Sequence, residues 1–252
     1  MKAMVLCAGY GTRLGDLTRE IPKPMLPVGD HPLLAYLLGH LRSHGFTDIA
    51  VNLHFRPESI RGAFGDGSRW GLHLQYSEEP TLLGTAGGVK QVETFLRDQP
   101  SFLIQYGDIL TDHDLSALVR FHHQRNALAT LLVHPRPRSN SAVTLDADGR
   151  IIGFLERPSE EHRVGVSTPW VNSGICIASP ELLDHIPAGK PADLPRDVLV
   201  PLVATRRLFA MPLDGFRCAI DSPERLTQAR SALAAGLCRI QPLRLAPGES
   251  AA

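Results

Sequence analysis

The feature that most constrains this chain is a short apolar run, Ala3 to Leu6, that leads directly into a loop of small and basic residues, Cys7 to Arg13. An apolar run of this length is typical of a strand buried on both faces, as in a parallel sheet. Two glycines let the loop backbone approach a ligand closely, and a threonine, an arginine and the later Lys23 add a hydroxyl and two cations. This combination predicts a site for a polyphosphate such as that of a nucleotide.

Strand-like and helix-like segments then alternate. Leu33 to Leu41 carries apolar residues at helical spacing, and Asp48 to Leu53 is typical of a second buried strand. A strand–helix–strand order implies a right-handed crossover and a parallel sheet. From Leu128 onward the strand-like segments lie close together, with a hairpin turn at Asp146 to Gly149 and a helix at Leu194 to Thr205. We expect a Rossmann-like, three-layer α/β/α fold with a mixed, mostly parallel central sheet and a small antiparallel annex.

Composition limits the possible partners. The 252 residues contain 26 Lys plus Arg and 26 Asp plus Glu, so no net charge favours binding to nucleic acid or to a membrane surface. No apolar run approaches the roughly 20 residues that span a bilayer. The four cysteines are scattered and the N-terminus lacks a signal pattern, so we expect a cytoplasmic protein with reduced thiols.

Two histidines at helical spacing, His40 and His44, have no acidic residue beside them in the sequence. We expect an exposed helix face there in preference to a metal site.

Polar residues follow several predicted strands. A second glycine cluster, Leu83 to Gly88, precedes an apolar-periodic run and so predicts a helix N-terminus that could accept a flat ring or a phosphate. Asp108 and Asp221 each come directly after a strand, where ligands of open parallel sheets bind, although a helix-cap role is the alternative for each. Asn172 lies inside a strand, where it could pair within the sheet or contact a sugar.

The loop Ala8-Gly9-Tyr10-Gly11-Thr12-Arg13-Leu14, followed by Pro22-Lys23-Pro24, resembles the G-x-G-T-R…P-K signature of the sugar-1-phosphate nucleotidyltransferases, which make NDP-sugars. Further motifs follow in that family's order: Leu83-Gly84-Thr85-Ala86-Gly87-Gly88, Gly107-Asp108, Glu156-Arg157-Pro158, Asn172-Ser173-Gly174 and Asp221. The resemblance covers residues 1–236, which we expect to form a single catalytic domain. We expect residues 237–252 to be a poorly ordered tail.

The resemblance implies a role for each matching residue. The nucleotide would be bound by Ala8, Gly9, Gly11, Thr12, Gly84 and Thr85. The sugar phosphate would be bound, within the antiparallel annex, by Glu156, Arg157, Asn172 and Gly174. Arg13 would cradle the triphosphate and Lys23 would neutralise the reacting phosphates. Asp108 and Asp221 would share a catalytic Mg²⁺.

These residue types suit the implied reaction. An oxygen of the sugar phosphate would attack the α-phosphorus of the nucleotide in line, and pyrophosphate would leave. Both reactants are anions, so positioning and charge neutralisation are most of the task and no covalent nucleophile is needed. Magnesium prefers carboxylate and phosphate oxygens, which two aspartates at strand ends can supply.

The chain departs from the family pattern at two positions, with Arg157 where lysine is usual and Tyr106 where asparagine is frequent. Arginine keeps the charge but binds phosphate as a fork. The chain ends too early for the hexapeptide-repeat β-helix of longer members, so we expect neither acyl transfer nor that mode of trimerisation, which leaves a monomer or a homodimer.

The sequence leaves open which nucleoside triphosphate is the donor and which sugar phosphate is the acceptor. The Cys7-Ala8-Gly9 loop and Asn52-Leu53-His54 are most similar to guanylyltransferases of mannose 1-phosphate and heptose 1-phosphate, with cyclitol-phosphate enzymes close by. Uridylyltransferases of muramic acid phosphate share nearly all of these features. We rank GTP first, then UTP, then dTTP or ATP.

The main alternative from another class is an NDP-sugar-dependent glycosyltransferase, for which Asp112-His113-Asp114 could be a D-x-D metal motif. The first loop argues against it, because a transferase that binds only a diphosphate has no need of Gly-x-Gly-Thr-Arg together with Lys23. The presence of both Asp108 and Asp221 argues against a non-catalytic sensor. A dehydrogenase is excluded because G-x-G-x-x-G is absent.

Overall fold

A computed structural model describes residues 1–136, 139–159, 161 and 167–246. The chain divides into two compact units. Unit 1 comprises Met1–Leu82, Gln105–Leu115 and Asp214–Ala252. Unit 2 comprises Leu83–Ile104 and Ser116–Leu213.

The strands are β1 Lys2–Leu6, β2 Pro27–Val28, β3 His31–Pro32, β4 Asp48–Leu53, β5 His73–Glu78, β6 Phe102–Tyr106, β7 Ile109–Thr111, β8 Ala129–Pro135, β9 Ser141–Leu145, β10 Ile151–Glu156, β11 Trp170–Ala178, β12 Leu208–Pro212 and β13 Arg217–Ala219. The α-helices are α1 Leu33–Ser43, α2 Pro57–Phe64, α3 Gly84–Gln91, α4 Glu93–Leu96, α5 Leu115–Gln124, α6 Val200–Leu202 and α7 Pro223–Ala234. Short 3₁₀-helices span Thr12–Thr18, Lys23–Met25, Ser68–Trp70, Pro180–His185 and Val203–Thr205, and a π-helix spans Leu194–Leu199.

Seven strands form the central sheet in the order β12-β8-β11-β6-β1-β4-β5. The pairs β1–β4, β4–β5 and β8–β12 are parallel, whereas β8–β11 is antiparallel. Three two-stranded antiparallel sheets, β9–β10, β7–β13 and β2–β3, accompany it. The predicted α/β fold, with a mixed and mostly parallel sheet and small antiparallel additions, is confirmed.

The core of unit 1 is built from β1, β4 and one face of α1. Residues Ala3 to Val5 of β1 are completely buried, as the apolar run predicted. The leucines of α1 at helical spacing are buried as well. Each completely buried leucine side chain contributes about 1.5–3 kcal/mol relative to an exposed one, so α1 is held by its apolar face.

The C-terminal segment packs on α1. Cys238, Ile240 and Leu243 are buried, and the Leu243 amide donates a hydrogen bond to the Ala35 carbonyl at 2.8 Å. A Cβ at Gly39 would lie 2.5 Å from the Gln241 carbonyl oxygen, so the segment relies on a glycine in the helix. Cys238, Ile240 and Leu243 lie in the segment that we expected to be a poorly ordered tail, and the sequence analysis overlooked their apolar side chains. Residues 247–252 lie outside the described residues.

The exposed face predicted at His40 and His44 is wrong. His40 is only 5% exposed, and His44 Nδ1 lies 3.4 Å from an Asp114 carboxylate oxygen. Burial of the imidazole lowers the pKa of His40 to about 4. The partner acid is distant in sequence, and for that reason inspection of the neighbouring residues did not find it.

In unit 2, residues Ala129 to Val133 of β8 are buried and pair with β11 and β12. The predicted turn between β9 and β10 forms, with the Asp146 carboxylate accepting from the Asp148 and Arg150 amides at 3.0 and 2.9 Å. The helix predicted over Leu194 to Thr205 is a succession of π, α and 3₁₀ turns instead. Two prolines, Pro195 and Pro201, cannot donate a backbone hydrogen bond within that segment, which disfavours a regular α-helix.

Within the described part of the chain, no helix is both long and apolar enough to cross a membrane.

Candidate active site

The phosphate loop follows β1 directly in unit 1. Gly11 has a left-handed backbone with φ of 69°. A Cβ at Gly11 would lie 3.1 Å from Thr18 Cγ2 and 3.2 Å from Lys23 Cβ, and the Thr18 hydroxyl donates to the Gly11 carbonyl at 3.0 Å. At Gly9, by contrast, no atom of the described residues lies within 4 Å of the Cβ position. Gly11 therefore folds the loop back towards Lys23, whereas Gly9 leaves open space where a ligand can approach.

A buried polar chain anchors the start of this loop. The Cys7 amide donates to Asn52 Oδ1 at 2.7 Å, and Asn52 Nδ2 donates to Glu79 Oε1 at 2.7 Å. Asn52 and Glu79 are both buried. The sequence analysis assigned neither residue to the site, although an asparagine within the buried strand β4 was a usable signal, because a buried polar group needs a partner.

His54 continues this chain to the exposed side of the loop. Its Nδ1 lies 2.6 Å from the Glu79 carbonyl oxygen, and its Nε2 lies 2.6 Å from the Tyr10 hydroxyl. A carbonyl only accepts, so Nδ1 carries the proton, and in the neutral ring Nε2 accepts from Tyr10. The His54 ring thus holds Tyr10, the residue between the two loop glycines.

Asp108 follows β6 through Gly107, where the chain passes very close to β1. The Gly107 amide donates to the Leu6 carbonyl at 2.9 Å, and a Cβ at Gly107 would lie 2.6 Å from Cys7 Sγ. Any side chain at this position would push the two strand ends apart. The Gly-Asp pair therefore places the aspartate beside the start of the phosphate loop.

Lys23 and Asp108 form a short ion pair. Lys23 Nζ donates to Asp108 Oδ2 at 2.5 Å, and the two side chains are 12% and 22% exposed. The other carboxylate oxygen, Asp108 Oδ1, is buried and has no hydrogen-bond partner in the described residues. A buried carboxylate oxygen without a partner is available to a ligand of opposite charge.

Asp221 and Asp108 lie at the same end of the β7–β13 ladder. Asp108 precedes β7 and Asp221 follows β13, with Ile109 opposite Ala219 and the Ile220 amide donating to the Asp108 carbonyl at 2.9 Å. Arg13 Nη1 lies 3.4 Å from Asp221 Oδ2. The side chain that caps α7 is that of Ser222, which accepts from the Arg225 amide. Two neighbouring carboxylates, one with an unpaired buried oxygen, fit a hard cation such as Mg²⁺.

The alternative D-x-D motif is occupied by structural contacts. The two oxygens of the Asp112 carboxylate accept from the Phe216 amide at 2.6 Å and the Arg239 amide at 2.9 Å. Asp114 lies against His44. Asp112 thus fastens two segments of unit 1, which argues against a metal site at these two aspartates.

In unit 2, the glycine cluster forms the first part of α3, so the helix N-terminus lies where the sequence predicted it. Gly84 has φ of 72°, and a Cβ there would lie 2.5 Å from the Ala192 carbonyl oxygen. The same oxygen accepts from the Ala86 amide at 2.9 Å, and the Thr85 hydroxyl accepts from the Leu194 amide at 2.7 Å. The segment Ala192–Leu194, here called the strap, therefore holds the beginning of α3.

Glu156 and Arg157 lie at the end of β10, next to the strap residue Asp193. Burial, reinforced by the Asp193 charge, raises the pKa of Glu156 to about 7. Arg157 has a left-handed backbone with φ of 47°. Its Nη2 lies 3.7 Å from Asp193 Oδ2, and its Nε lies 3.7 Å from Glu156 Oε1. Sequence reasoning missed Asp193, which belongs to no motif.

Asn172 and Gly174 form an irregularity in β11. The Asn172 side-chain oxygen accepts from the Gly174 amide at 3.1 Å, and Gly174 has φ of 81°. The register between β11 and β8 shifts in this segment. Such bulges redirect side chains out of a regular ladder and are frequent next to functional sites.

Each unit thus gathers part of the predicted set. Unit 1 brings the phosphate loop, Lys23, Asp108 and Asp221 together. Unit 2 brings Glu156 and Arg157 together and adds Asp193.

Comparisons with known proteins identify the family and the fold. A family model described as "Nucleotidyl transferase" matches residues 2–212. A UTP–glucose-1-phosphate uridylyltransferase from Synechocystis is 38% identical over 217 residues, which cover 81% of this chain and 55% of that relative. A mannose-1-phosphate guanylyltransferase from Mycobacterium tuberculosis is 32% identical over 251 residues, 98% of this chain and 68% of that relative. The chain thus spans only part of the length of both relatives.

Among solved structures, a UDP-glucose pyrophosphorylase complexed with UDP-glucose matches with a TM-score of 0.79 at 18% identity, over 93% of this chain and 98% of that chain. At this level of identity the match shows a shared fold.

Proposed function

Because the chain belongs to the nucleotidyl transferase family, we propose that it condenses a nucleoside triphosphate with a sugar 1-phosphate or a cyclitol 1-phosphate to form an NDP-sugar and pyrophosphate. The sugar would be a hexose or a heptose. The observation that carries this proposal is the short Lys23–Asp108 pair next to a phosphate loop that is open at Gly9. A lysine held beside a carboxylate with a free buried oxygen suits a site where a metal-bound polyphosphate reacts.

The nucleotide is proposed to bind on the phosphate loop of unit 1. Ala8 and Gly9 would contact the base and the ribose, backbone amides near Gly11 and Thr12 would donate to phosphate oxygens, and Arg13 would add a guanidinium fork. Lys23 would bind a reacting phosphate and neutralise charge as it develops. Asp108 and Asp221 would hold Mg²⁺, which when bound supplies Lewis-acid neutralisation of the phosphate oxygens.

The strap contacts limit the role proposed for Gly84 and Thr85. The Thr85 hydroxyl accepts from the Leu194 amide, and the Cβ space of Gly84 is occupied by Ala192. We therefore propose that Gly84 presents backbone atoms to the nucleoside, while the Thr85 hydroxyl, which accepts from the Leu194 amide, keeps its own proton for donation.

The acceptor is proposed to bind through residues of unit 2. Glu156 in its charged form would accept hydrogen bonds from sugar hydroxyls, and Asn172, aided by the bulge at Gly174, would present its amide to the same sugar. Arg157 would bind the phosphate of the acceptor. With the acceptor fixed in this way, its phosphate oxygen is the nucleophile and no covalent intermediate forms with the protein.

We propose GTP as the preferred donor, since guanylyltransferases such as the Mycobacterium tuberculosis enzyme cover nearly all of this chain. UTP is the second candidate, since the uridylyltransferase from Synechocystis is more identical over a shorter stretch. A thymidylyl transfer ranks below both.

Residues 1–236 are proposed to act as one catalytic domain, in the cytoplasm, as a monomer or a homodimer, with no nucleic-acid or membrane partner.

The proposal is tested by incubating the protein with each of GTP, UTP, dTTP and ATP against a panel of sugar 1-phosphates in the presence of Mg²⁺, with pyrophosphate release as the readout. We expect release with one donor well above the others and only when an acceptor phosphate is present. Release of a free nucleoside diphosphate from a finished NDP-sugar, without pyrophosphate, would instead support a glycosyltransferase.

Asp108→Asn is the matched variant for the metal assignment. We expect its turnover to fall by about a hundredfold, the scale for loss of one positioned charged group. Near-normal turnover at saturating Mg²⁺ would contradict the role given to Asp108.

A further inference from the structure

The strap Ala192–Leu194 connects two parts of unit 2 that carry different proposed tasks. On one side its backbone is fixed to the start of α3: the Ala192 carbonyl accepts from the Ala86 amide, and the Ala192 amide donates to the Leu83 carbonyl at 2.8 Å. On the other side, the Asp193 carboxylate is directed to the end of β10, where it lies 3.7 Å from the Arg157 guanidinium. A single short segment therefore determines where the Asp193 charge is placed.

Asp193 is itself held firmly. One of its oxygens accepts from the Arg196 amide at 3.0 Å, which caps the π-helix, and its own amide donates to Asp197 Oδ2 at 2.7 Å. Its side chain is 19% exposed, whereas that of Arg157 is 61% exposed. The carboxylate is thus the fixed partner of this pair and the guanidinium is the more exposed one.

We propose that Asp193 is a positioning residue for the acceptor: its carboxylate holds Arg157 until the phosphate of the sugar 1-phosphate replaces it. This inference rests on the proposed function. A separation of 3.7 Å to an exposed guanidinium makes a weak, screened ion pair, and a phosphate dianion can exceed it by forming two charge-assisted hydrogen bonds with the same fork. Asp193 then acts as an internal competitor that the correct acceptor must displace.

The same carboxylate influences Glu156. Among the residues that the structure describes, the charged groups that act on Glu156 are Asp193, Arg157 and Arg196. Burial is the larger cause of the raised pKa of Glu156, and Asp193 adds to it, while the two arginines oppose it. Neutralising Asp193 should therefore make Glu156 easier to ionise.

The test uses Asp193→Asn, which removes the charge but retains a side-chain oxygen that can cap the π-helix. We expect the KM for the acceptor, measured with mannose 1-phosphate and with glucose 1-phosphate, to fall about two- to fivefold, with kcat and the KM for the nucleotide unchanged. The acidic limb of the acceptor KM profile should move to lower pH. Asp184→Asn, which removes a carboxylate from an exposed pair with Arg97 in the same unit, is the control.

Two further variants separate this role from a structural one. Asp193→Ala removes both the charge and the cap, so we expect a lower melting temperature together with the same change in acceptor KM. In an Arg157→Ala background, measured well above pH 7 where Glu156 is ionised with or without the Asp193 charge, Asp193→Asn should no longer alter the acceptor KM, because the competition needs the guanidinium.

The outcomes distinguish the two proposals. An unchanged acceptor KM and pH profile in Asp193→Asn, with wild-type turnover intact, would overturn the role of Asp193 and leave the proposed function standing. An effect of Asp193→Asn that persists without Arg157 at that pH would overturn the competition. Failure of the wild-type protein to turn over any donor with any sugar 1-phosphate would overturn the proposed function and this inference with it.

Discussion

Two cation–carboxylate pairs, Lys23–Asp108 in unit 1 and Arg157–Asp193 in unit 2, are built in opposite ways. The lysine donates at 2.5 Å from a side chain that is 12% exposed, whereas the arginine lies 3.7 Å from its partner and is 61% exposed. A short, partly buried pair fixes both members, and removal of one member leaves the other uncompensated. A long, exposed pair is screened by solvent and is worth about 0–1 kcal/mol. In the proposed function, this difference would make the phosphate site of unit 1 pre-organised and that of unit 2 adjustable.

Substitution of Lys23 tests the rigid pair and carries the largest expected effect. In Lys23→Ala, the Asp108 carboxylate loses its partner and the proposed transition state loses a cation, so we expect turnover to fall at least about a hundredfold. Steady-state pyrophosphate release at saturating substrates measures this. Lys190→Ala, at an exposed lysine, is the control and should behave as wild type. Wild-type turnover in Lys23→Ala would show that the rigid Lys23–Asp108 pair is no more important for turnover than the adjustable Arg157–Asp193 pair.

The placement of Asp193 in the second pair depends on Gly84, so Gly84→Ala tests how the strap is held. The added Cβ would lie 2.5 Å from the Ala192 carbonyl oxygen and would require a left-handed backbone. We expect the free energy of unfolding to fall by about 2 kcal/mol, measured by urea denaturation.

The control is Gly62→Ala in α2, where no atom lies within 4 Å of the new Cβ. It should stabilise the protein by about 0.4–1 kcal/mol, because alanine reduces the entropy of the unfolded chain. If the two variants were equally stable, the strap would have to move away from the new Cβ at little cost in free energy.

The two pairs also differ in how far the sequence predicted them. Assignment of the chain to its family is confirmed, and both the phosphate loop and the Gly107-Asp108 pair were recognisable, because their chemistry is written in contiguous residues. Asp193 was missed because its proximity to Arg157 arises from the packing of the strap, and no local pattern records a contact between segments distant in sequence. The same reason explains the buried pairing of Asn52 with Glu79 and the contact of His44 with Asp114.

A smaller effect is expected from pH, through Glu156 beside the looser pair. Its pKa of about 7 lies above the ordinary value, so near neutral pH part of the population is protonated and cannot accept two sugar hydroxyls. The acceptor KM should therefore fall, by up to about tenfold, as pH rises from 6 to 8.

Higher pH is expected to strengthen acceptor binding but to lower the stability of the folded protein. A raised pKa in the folded state contributes stability below the ordinary pKa of 4.5, and this contribution is lost as pH rises through about 7. Glu156→Gln should abolish both dependences. If the acceptor KM of the wild-type protein did not change between pH 6 and 8, the charge of Glu156 would not determine acceptor binding.

The smallest effect is expected from exchanging the cations themselves. Arg157→Lys introduces the lysine of the family pattern, which keeps the charge but replaces the fork by a point, so a bound phosphate loses one of two hydrogen bonds and we expect the acceptor KM to rise by about threefold. The melting temperature should stay constant, because Arg157 is exposed and makes no short bond to Asp193. Lys23→Arg should be clearly more harmful, since a planar fork must replace a compact ammonium at a 2.5 Å contact that is largely buried. If both exchanges were tolerated equally, the rigidity assigned to the first pair would have no functional consequence. If Arg157→Lys were the more harmful of the two, the adjustable site would lie in unit 1 instead.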